Sequence, residues 1–179
     1  MLRTQDTFFV LIDVQEKLAA VMHDRDRLLD NCRRALACMK ALAVPVLWTE
    51  QAPEKIGPTL PSLAALLPGQ TPLRKIAFSC CGEPSFVAAV EALRRHRAIV
   101  AGIETHVCVY QTAADLFARG YHVEVLSDAV SSRTPENRAI GLERARVAGC
   151  SITSIETAVF ELLRSADHPA FREVARIVK

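Results

Sequence analysis

Short β-rich apolar runs alternate with amphipathic stretches from one end of this chain to the other, and no other feature constrains the fold as strongly. The runs lie at residues 7–13, 44–49, 74–78, 98–102, 122–127 and 151–153. Most are continuously hydrophobic rather than alternating, as strands covered by helices on both faces are. Strand and helix in regular alternation predict an α/β fold, built as three α/β/α layers around a six-stranded, mostly parallel sheet.

The intervening segments support that reading. Leu28, Cys32, Ala35, Leu36, Met39 and Leu42 recur at the three-and-four spacing of one helix face, and Phe86, Val90 and Leu93 do the same further on. Gly120 and Gly149 stand where helices over 107–119 and 135–148 would end in a left-handed residue. Pro135 and Pro169 suit helix starts, where a missing N–H costs nothing. The segment 51–72 holds five prolines and two glycines and is too long for a plain connector, so it reads as a lid or a subunit-contact loop. No repeat, low-complexity tract or composition shift marks a second domain, and residues 1–179 read as one.

Charge and composition exclude several classes. The chain has 22 Lys and Arg against 20 Asp and Glu, with no basic block. That leaves no electrostatic footprint for nucleic acid. Its apolar runs are far shorter than the roughly 18 residues of a membrane span, so no membrane association is expected. The opening residues are too brief for a signal-peptide core, which points to the cytoplasm. Six cysteines without C-x-x-C or a Cys/His cadence are then expected as reduced thiols.

In an open parallel sheet, ligands bind beyond the carboxyl ends of the strands, so residues at those ends are the first candidates. Asp13 interrupts the run Phe8-Phe9-Val10-Leu11-Ile12, either as a helix N-cap or as a catalytic carboxylate. Lys75 lies in a short strand, where a buried ammonium needs an anionic partner and an exposed one does not. Cys108 falls in the first turn of the helix after the fourth run, where a thiol pKa is lowered; the alternative is a buried, inert cysteine. Core packing is the reading for Cys32, Cys38 and Cys150, and also for the loop pair Cys80-Cys81.

These residues together resemble the isochorismatase-like cysteine hydrolases. The resemblance rests on Asp13-Val14-Gln15 after the first strand, the single Lys75 at the third, and the run Gly102-Ile103-Glu104-Thr105-His106-Val107-Cys108-Val109 followed by Thr112. Thr49-Glu50-Gln51, Gly57-Pro58-Thr59 and the run Asp128 to Arg133 look most like the isochorismatase-domain-containing subgroup. The resemblance implies a Rossmann-like architecture and a metal-independent hydrolase cleaving a small amide-like substrate through a Cys thioester. It implies an Asp13, Lys75, Cys108 triad, a cis peptide between Ile103 and Glu104, and an oxyanion hole made by the N–H groups of Glu104 and Cys108.

Departures from relatives within the superfamily narrow the expectation. Nicotinamidases carry a metal-binding Asp-x-His pair where this chain reads Thr49-Glu50-Gln51, so no metal and no cofactor are expected. The five histidines lack ligand spacing. True isochorismatases lack the cysteine nucleophile, so Cys108 points to acyl–nitrogen cleavage. Gln15, Trp48, Glu50, Phe78, His106 and Tyr110 are the candidate substrate-pocket residues. A homo-oligomer is implied, with 51–72 and 169–179 as contacts. Two rival readings are a non-catalytic assembly or binding module, and a redox sensor centred on Cys108 with Cys80 or Cys81 as its partner.

Overall fold

The computed structural model describes residues 1–179. Its strands are β1 (Thr7–Ile12), β2 (Val46–Gln51), β3 (Leu73–Lys75), β4 (Arg97–Ile103), β5 (His122–Ser131) and β6 (Ser151–Thr153). The helices are α1 (Glu16–Ala19), α2 (Arg25–Ala41), α3 (Pro53–Ile56), α4 (Pro61–Ala64), α5 (Pro84–Ala92), α6 (Tyr110–Ala118), α7 (Pro135–Val147), α8 (Ile155–Leu163) and α9 (Phe171–Val178).

Every residue of β1 is buried, and its side chains leave by alternate faces. Phe9 and Leu11 enter a core shared with α2, α8 and α9, whereas Phe8, Val10 and Ile12 enter a second core under α5, α6 and α7. In β4, Ile99, Ala101 and Ile103 join the first core, and Ala98 and Val100 the second. Burying a Phe, Ile or Leu side chain is worth about 1.5–3 kcal/mol. This two-sided demand is why the strands read as unbroken apolar runs.

The sheet is parallel throughout, in the order β3-β2-β1-β4-β5-β6. The strand order therefore reverses between β1 and β4, which opens a crevice at their carboxyl ends. Ile12 pairs with Gly102 there. Gly102 has φ +120°, and a Cβ on it would stand 2.1 Å from the Ile12 carbonyl oxygen, so only glycine lets β4 approach β1 this closely.

Several boundaries differ from the sequence expectation, each for a local reason. The second strand runs over Val46–Gln51 instead of 44–49, leaving Pro45, which has no N–H to donate, outside it. The third ends at Lys75 rather than Phe78, because the Lys75 ammonium draws the carbonyls of Ala77 and Phe78 back toward itself. β5 extends past residue 127 through a register shift and pairs again with β4 at Val130 and Ser131. The segment 51–72 contains the single-turn helices α3 and α4. Pro169 lies ahead of α9 rather than opening it. No helix is long and apolar enough to cross a membrane.

Candidate active site

Asp13 stands at the switch point with φ 52°, a left-handed conformation that a short polar residue tolerates. It is not a helix N-cap, since α1 starts at Glu16 behind Gln15. Its side chain is fully buried. The Thr49 hydroxyl donates to Oδ1 at 2.7 Å, and Lys75 Nζ lies 2.5 Å from Oδ2. Lys75, equally shut off from solvent, also donates to Gln51 Oε1 at 2.8 Å, to the Phe78 carbonyl at 3.0 Å and to the Ala77 carbonyl at 3.2 Å. The Gln51 amide is itself oriented, because its nitrogen donates to the Ile76 carbonyl at 2.7 Å.

Cys108, in the turn beyond β4, lies beside the same carboxylate, close enough for each group to influence the other's protonation. The chain leaves β4 through a cis Ile103–Glu104 peptide and turns through a wide π-type coil, Thr105–Val109, before α6 begins. The Val109 N–H donates to the Glu104 carbonyl five residues back, at 3.2 Å. Cys108 therefore lies in a π-turn ahead of the regular helix rather than in its first turn. α7 presses on this turn at Gly141, where a Cβ would stand 2.5 Å from the His106 nitrogen.

The electrostatics correct one expectation. A lowered thiol pKa is expected for Cys108, but burial, followed by the facing Asp13 carboxylate, pushes the thiol up to about 12, and Lys75 offsets this only in part. The resting group is a thiol. Burial likewise holds the Asp13 carboxyl above its ordinary value, against the pull of Lys75 and the hydrogen bond from Thr49. Burial works against the Lys75 ammonium too, but the Asp13 carboxylate outweighs it and holds its pKa above the usual lysine value. The site is thus a buried ion pair whose carboxylate has a raised affinity for protons, in contact with a protonated thiol.

The six candidate pocket residues divide. Gln15 is fully buried and braces the loop after β2, donating to the carbonyls of Gln51 and Gly57 and accepting from the Gln51 N–H. Glu50 accepts from the Thr59 N–H at 2.7 Å and latches the same loop. Trp48 packs in the core on the α2 side. These three are occupied with structure rather than open to a ligand. Phe78 is 56% exposed beside Lys75, with Ile76 exposed next to it, so it lies outside the hydrophobic core. His106 Nδ1 meets Ser132 Oγ at 3.0 Å, and the Tyr110 hydroxyl accepts from Arg144 at 2.9 Å. The Glu104 side chain pairs with Arg133 at 3.1 Å, which ties the π-turn to the end of β5. No three or more His, Cys, Asp and Glu side chains converge as metal ligands would.

Sequence reasoning assigned no role to the Thr49 and Gln51 side chains, and it offered Cys80 only as a core residue or as the redox partner of Cys108; all three adjoin this centre. Thr49 and Gln51 occupy alternate positions at the end of β2, so one face of that strand carries both, a signal the period-2 rule makes readable. Cys80 lies against Thr49, its sulfur 3.7 Å from the hydroxyl oxygen.

An all-parallel six-stranded sheet whose order reverses at β1 and β4, with Asp13, Lys75 and Cys108 buried at or just beyond the carboxyl ends of its strands, defines an α/β protein of the open, doubly wound class. The comparisons specify it further: residues 7–157 match the Isochorismatase domain family, and the chain belongs to that family. It is 36% identical over 170 residues to isochorismatase domain-containing protein 2 of Bos taurus, covering 94% of this chain and 81% of that protein. Among solved structures it is similar to the MAR1 ribonuclease of Caenorhabditis elegans, with a TM-score of 0.93 and 33% identity over 99% of this chain and 91% of that one. It is also similar to the YcaC gene product of Escherichia coli, described as an octameric hydrolase of unknown specificity, with a TM-score of 0.92 and 25% identity over 98% and 89% of the two chains. The protein has the isochorismatase-family hydrolase fold.

Proposed function

We propose that this protein is a metal-independent cysteine hydrolase that cleaves a small amide-like substrate with Asp13, Lys75 and Cys108. The observation that carries the reading is the fully buried Asp13 carboxylate, paired with the Lys75 ammonium at 2.5 Å and lying beside the Cys108 thiol. Asp13 takes the thiol proton as Cys108 Sγ attacks the acyl carbon, so no standing thiolate is required at neutral pH. The N–H groups of Glu104 and Cys108 hold the developing oxyanion, a role in which one donor is worth roughly a hundred- to thousand-fold in rate. Asp13 returns its proton to the leaving nitrogen, and the C–N bond breaks to leave a thioester. Water, deprotonated by Asp13, then attacks that thioester; the C–S bond breaks, and the carboxylic acid and the thiol are released. Lys75 remains an ammonium throughout and keeps Asp13 oriented.

His106, Tyr110 and the exposed Phe78 are the pocket residues this reading retains, and it gives no cofactor or metal a part. The substrate in this reading is a small molecule. A homo-oligomer belongs to the same reading, with 51–72 and 169–179 as contacts; the octameric E. coli relative supports it. So does a cytoplasmic setting, since all six cysteines are unpaired.

The test is a panel of small aliphatic and aromatic amides, with an RNA oligomer beside them, scored for ammonia or cleavage products. The reading expects amide hydrolysis by the wild type that disappears in Cys108→Ala and in Asp13→Asn. Hydrolysis that survives Cys108→Ala, or activity confined to RNA, overturns it.

A further inference from the structure

The catalytic proposal leaves one buried nucleophile at the site without a task. Cys80 has no solvent exposure, yet one residue, Thr49, separates its sulfur from the Asp13 carboxylate, and it shares a core with Cys108. Two hydrogen bonds hold its loop against α6. The Cys80 N–H donates to Thr112 Oγ1 at 2.9 Å, and the Ser79 hydroxyl donates to Asp115 at 2.6 Å. Thr112 and Asp115 stand four and seven residues beyond Cys108, one and two turns along the same face of the coil. The loop is therefore strapped to the face that carries Cys108, with the Cys80 side chain in the same core.

The two thiols also share a proton acceptor. Cys108 lies beside Asp13, whose carboxylate acts on its thiol. The Cys80 thiol donates to the Thr49 hydroxyl at 3.7 Å, and that hydroxyl donates to Asp13 Oδ1 at 2.7 Å. Cys81, its sequence neighbour, lines a separate surface cavity with Arg119 and Tyr121 instead.

We propose that Cys80 is a resolving thiol that captures peroxide-oxidised Cys108 in an intramolecular disulfide, giving a reversible off state and shielding the nucleophile from irreversible oxidation. This rests on Cys108 being the nucleophile. The co-reactant is hydrogen peroxide. Asp13 takes the Cys108 proton as the sulfur attacks one peroxide oxygen; the O–O bond breaks, and the departing hydroxide takes that proton to form water. Cys108 is then a sulfenic acid, oxidised by two electrons. The Cys80 sulfur attacks it, its proton passing through Thr49 toward Asp13 and on to the departing hydroxyl, and a second water leaves as the S–S bond forms.

The experiment treats the intact protein with a few equivalents of hydrogen peroxide, digests it without reductant, and maps the peptides of the wild type, Cys80→Ala and Cys81→Ala. Iodoacetamide labelling of untreated protein runs in parallel. The expected result is a Cys80–Cys108 linked peptide in the wild type and in Cys81→Ala, released by dithiothreitol. In Cys80→Ala, Cys108 is expected to advance to the sulfinic acid, which dithiothreitol does not reverse. If Cys108 takes iodoacetamide but peroxide gives only its sulfinic acid, or a Cys81 disulfide, in the wild type, the resolving role falls and the nucleophile reading stands. If Cys108 reacts with neither reagent in folded protein, both fall.

Discussion

Lys75 Nζ lies 2.5 Å from Asp13 Oδ2 with both side chains closed to solvent, the side-chain exposures being 1% and 0%. A pair this buried is held by its surroundings as much as by its own attraction, because each ion has given up its hydration. Thr49 and Gln51 supply part of what water would have supplied, one to each partner.

Removing one ion should therefore cost more than removing both. Lys75→Met leaves a buried carboxylate without its cation, and a loss of about 3–5 kcal/mol is expected from urea unfolding. The double variant Asp13→Asn, Lys75→Met should recover a large part of that loss. A double variant no more stable than Lys75→Met would contradict the coupling.

Gly141 sets how closely α7 rests on the π-turn. A methyl group there meets the backbone of Thr105 and His106 at 2.5 Å, and backbone cannot rotate aside as a side chain can. Gly141→Ala is expected to lose about 1–3 kcal/mol of stability by overpacking and to slow alkylation of Cys108. Unchanged urea midpoint and alkylation rate would show that the helix simply shifts outward.

Stability should decline at alkaline pH. Burial pushes Cys32, Cys38 and Cys80 up to about 12, from an ordinary value near 9.0. In the unfolded chain these thiols ionise first, so between the two values the folded state binds more protons. The stability they contribute is complete below the unfolded value and is lost as pH rises through the folded one. With reductant present, Tm is expected to fall steadily above about pH 9, and less steeply in Cys32→Ala. A flat Tm across that range would contradict the burial account.

The sequence makes the strand order of chemistry legible more readily than the chemistry itself. β1 and β4 announce themselves because both faces are buried, and Asp13, Lys75 and Cys108 can be picked out as polar residues at strand or turn positions. Their convergence depends on the sheet order, which periodicity alone does not specify. The Cys108 thiol is misjudged from sequence because a helix start suggests a lowered pKa, whereas the tertiary packing that closes over the sulfur raises it. Gln15 and Glu50 sit at strand ends like ligand-binding residues, yet the loop after β2 consumes their hydrogen bonds. Only the folded loop contains those partners. Phe78 shows the reverse: it closes an apolar run that reads as buried strand, but the chain leaves the sheet after Lys75 and the ring lies at the surface.

The central claim, that Asp13 activates Cys108 toward a small acyl compound, is tested most directly with acrylamide, an amide of substrate size that traps thiols irreversibly. The sulfur bonds to its terminal alkene carbon, and the thiol proton ends on the carbon beside the carbonyl. Peptide mapping at neutral pH would follow adduct formation at each of the six cysteines in the wild type and in Asp13→Asn. The account predicts that Cys108 reacts first in the wild type, despite a thiol pKa pushed up to about 12, and that Asp13→Asn removes this advantage while the fold persists. Cys108 left unmodified in folded wild-type protein, or modified equally fast in Asp13→Asn, would contradict it.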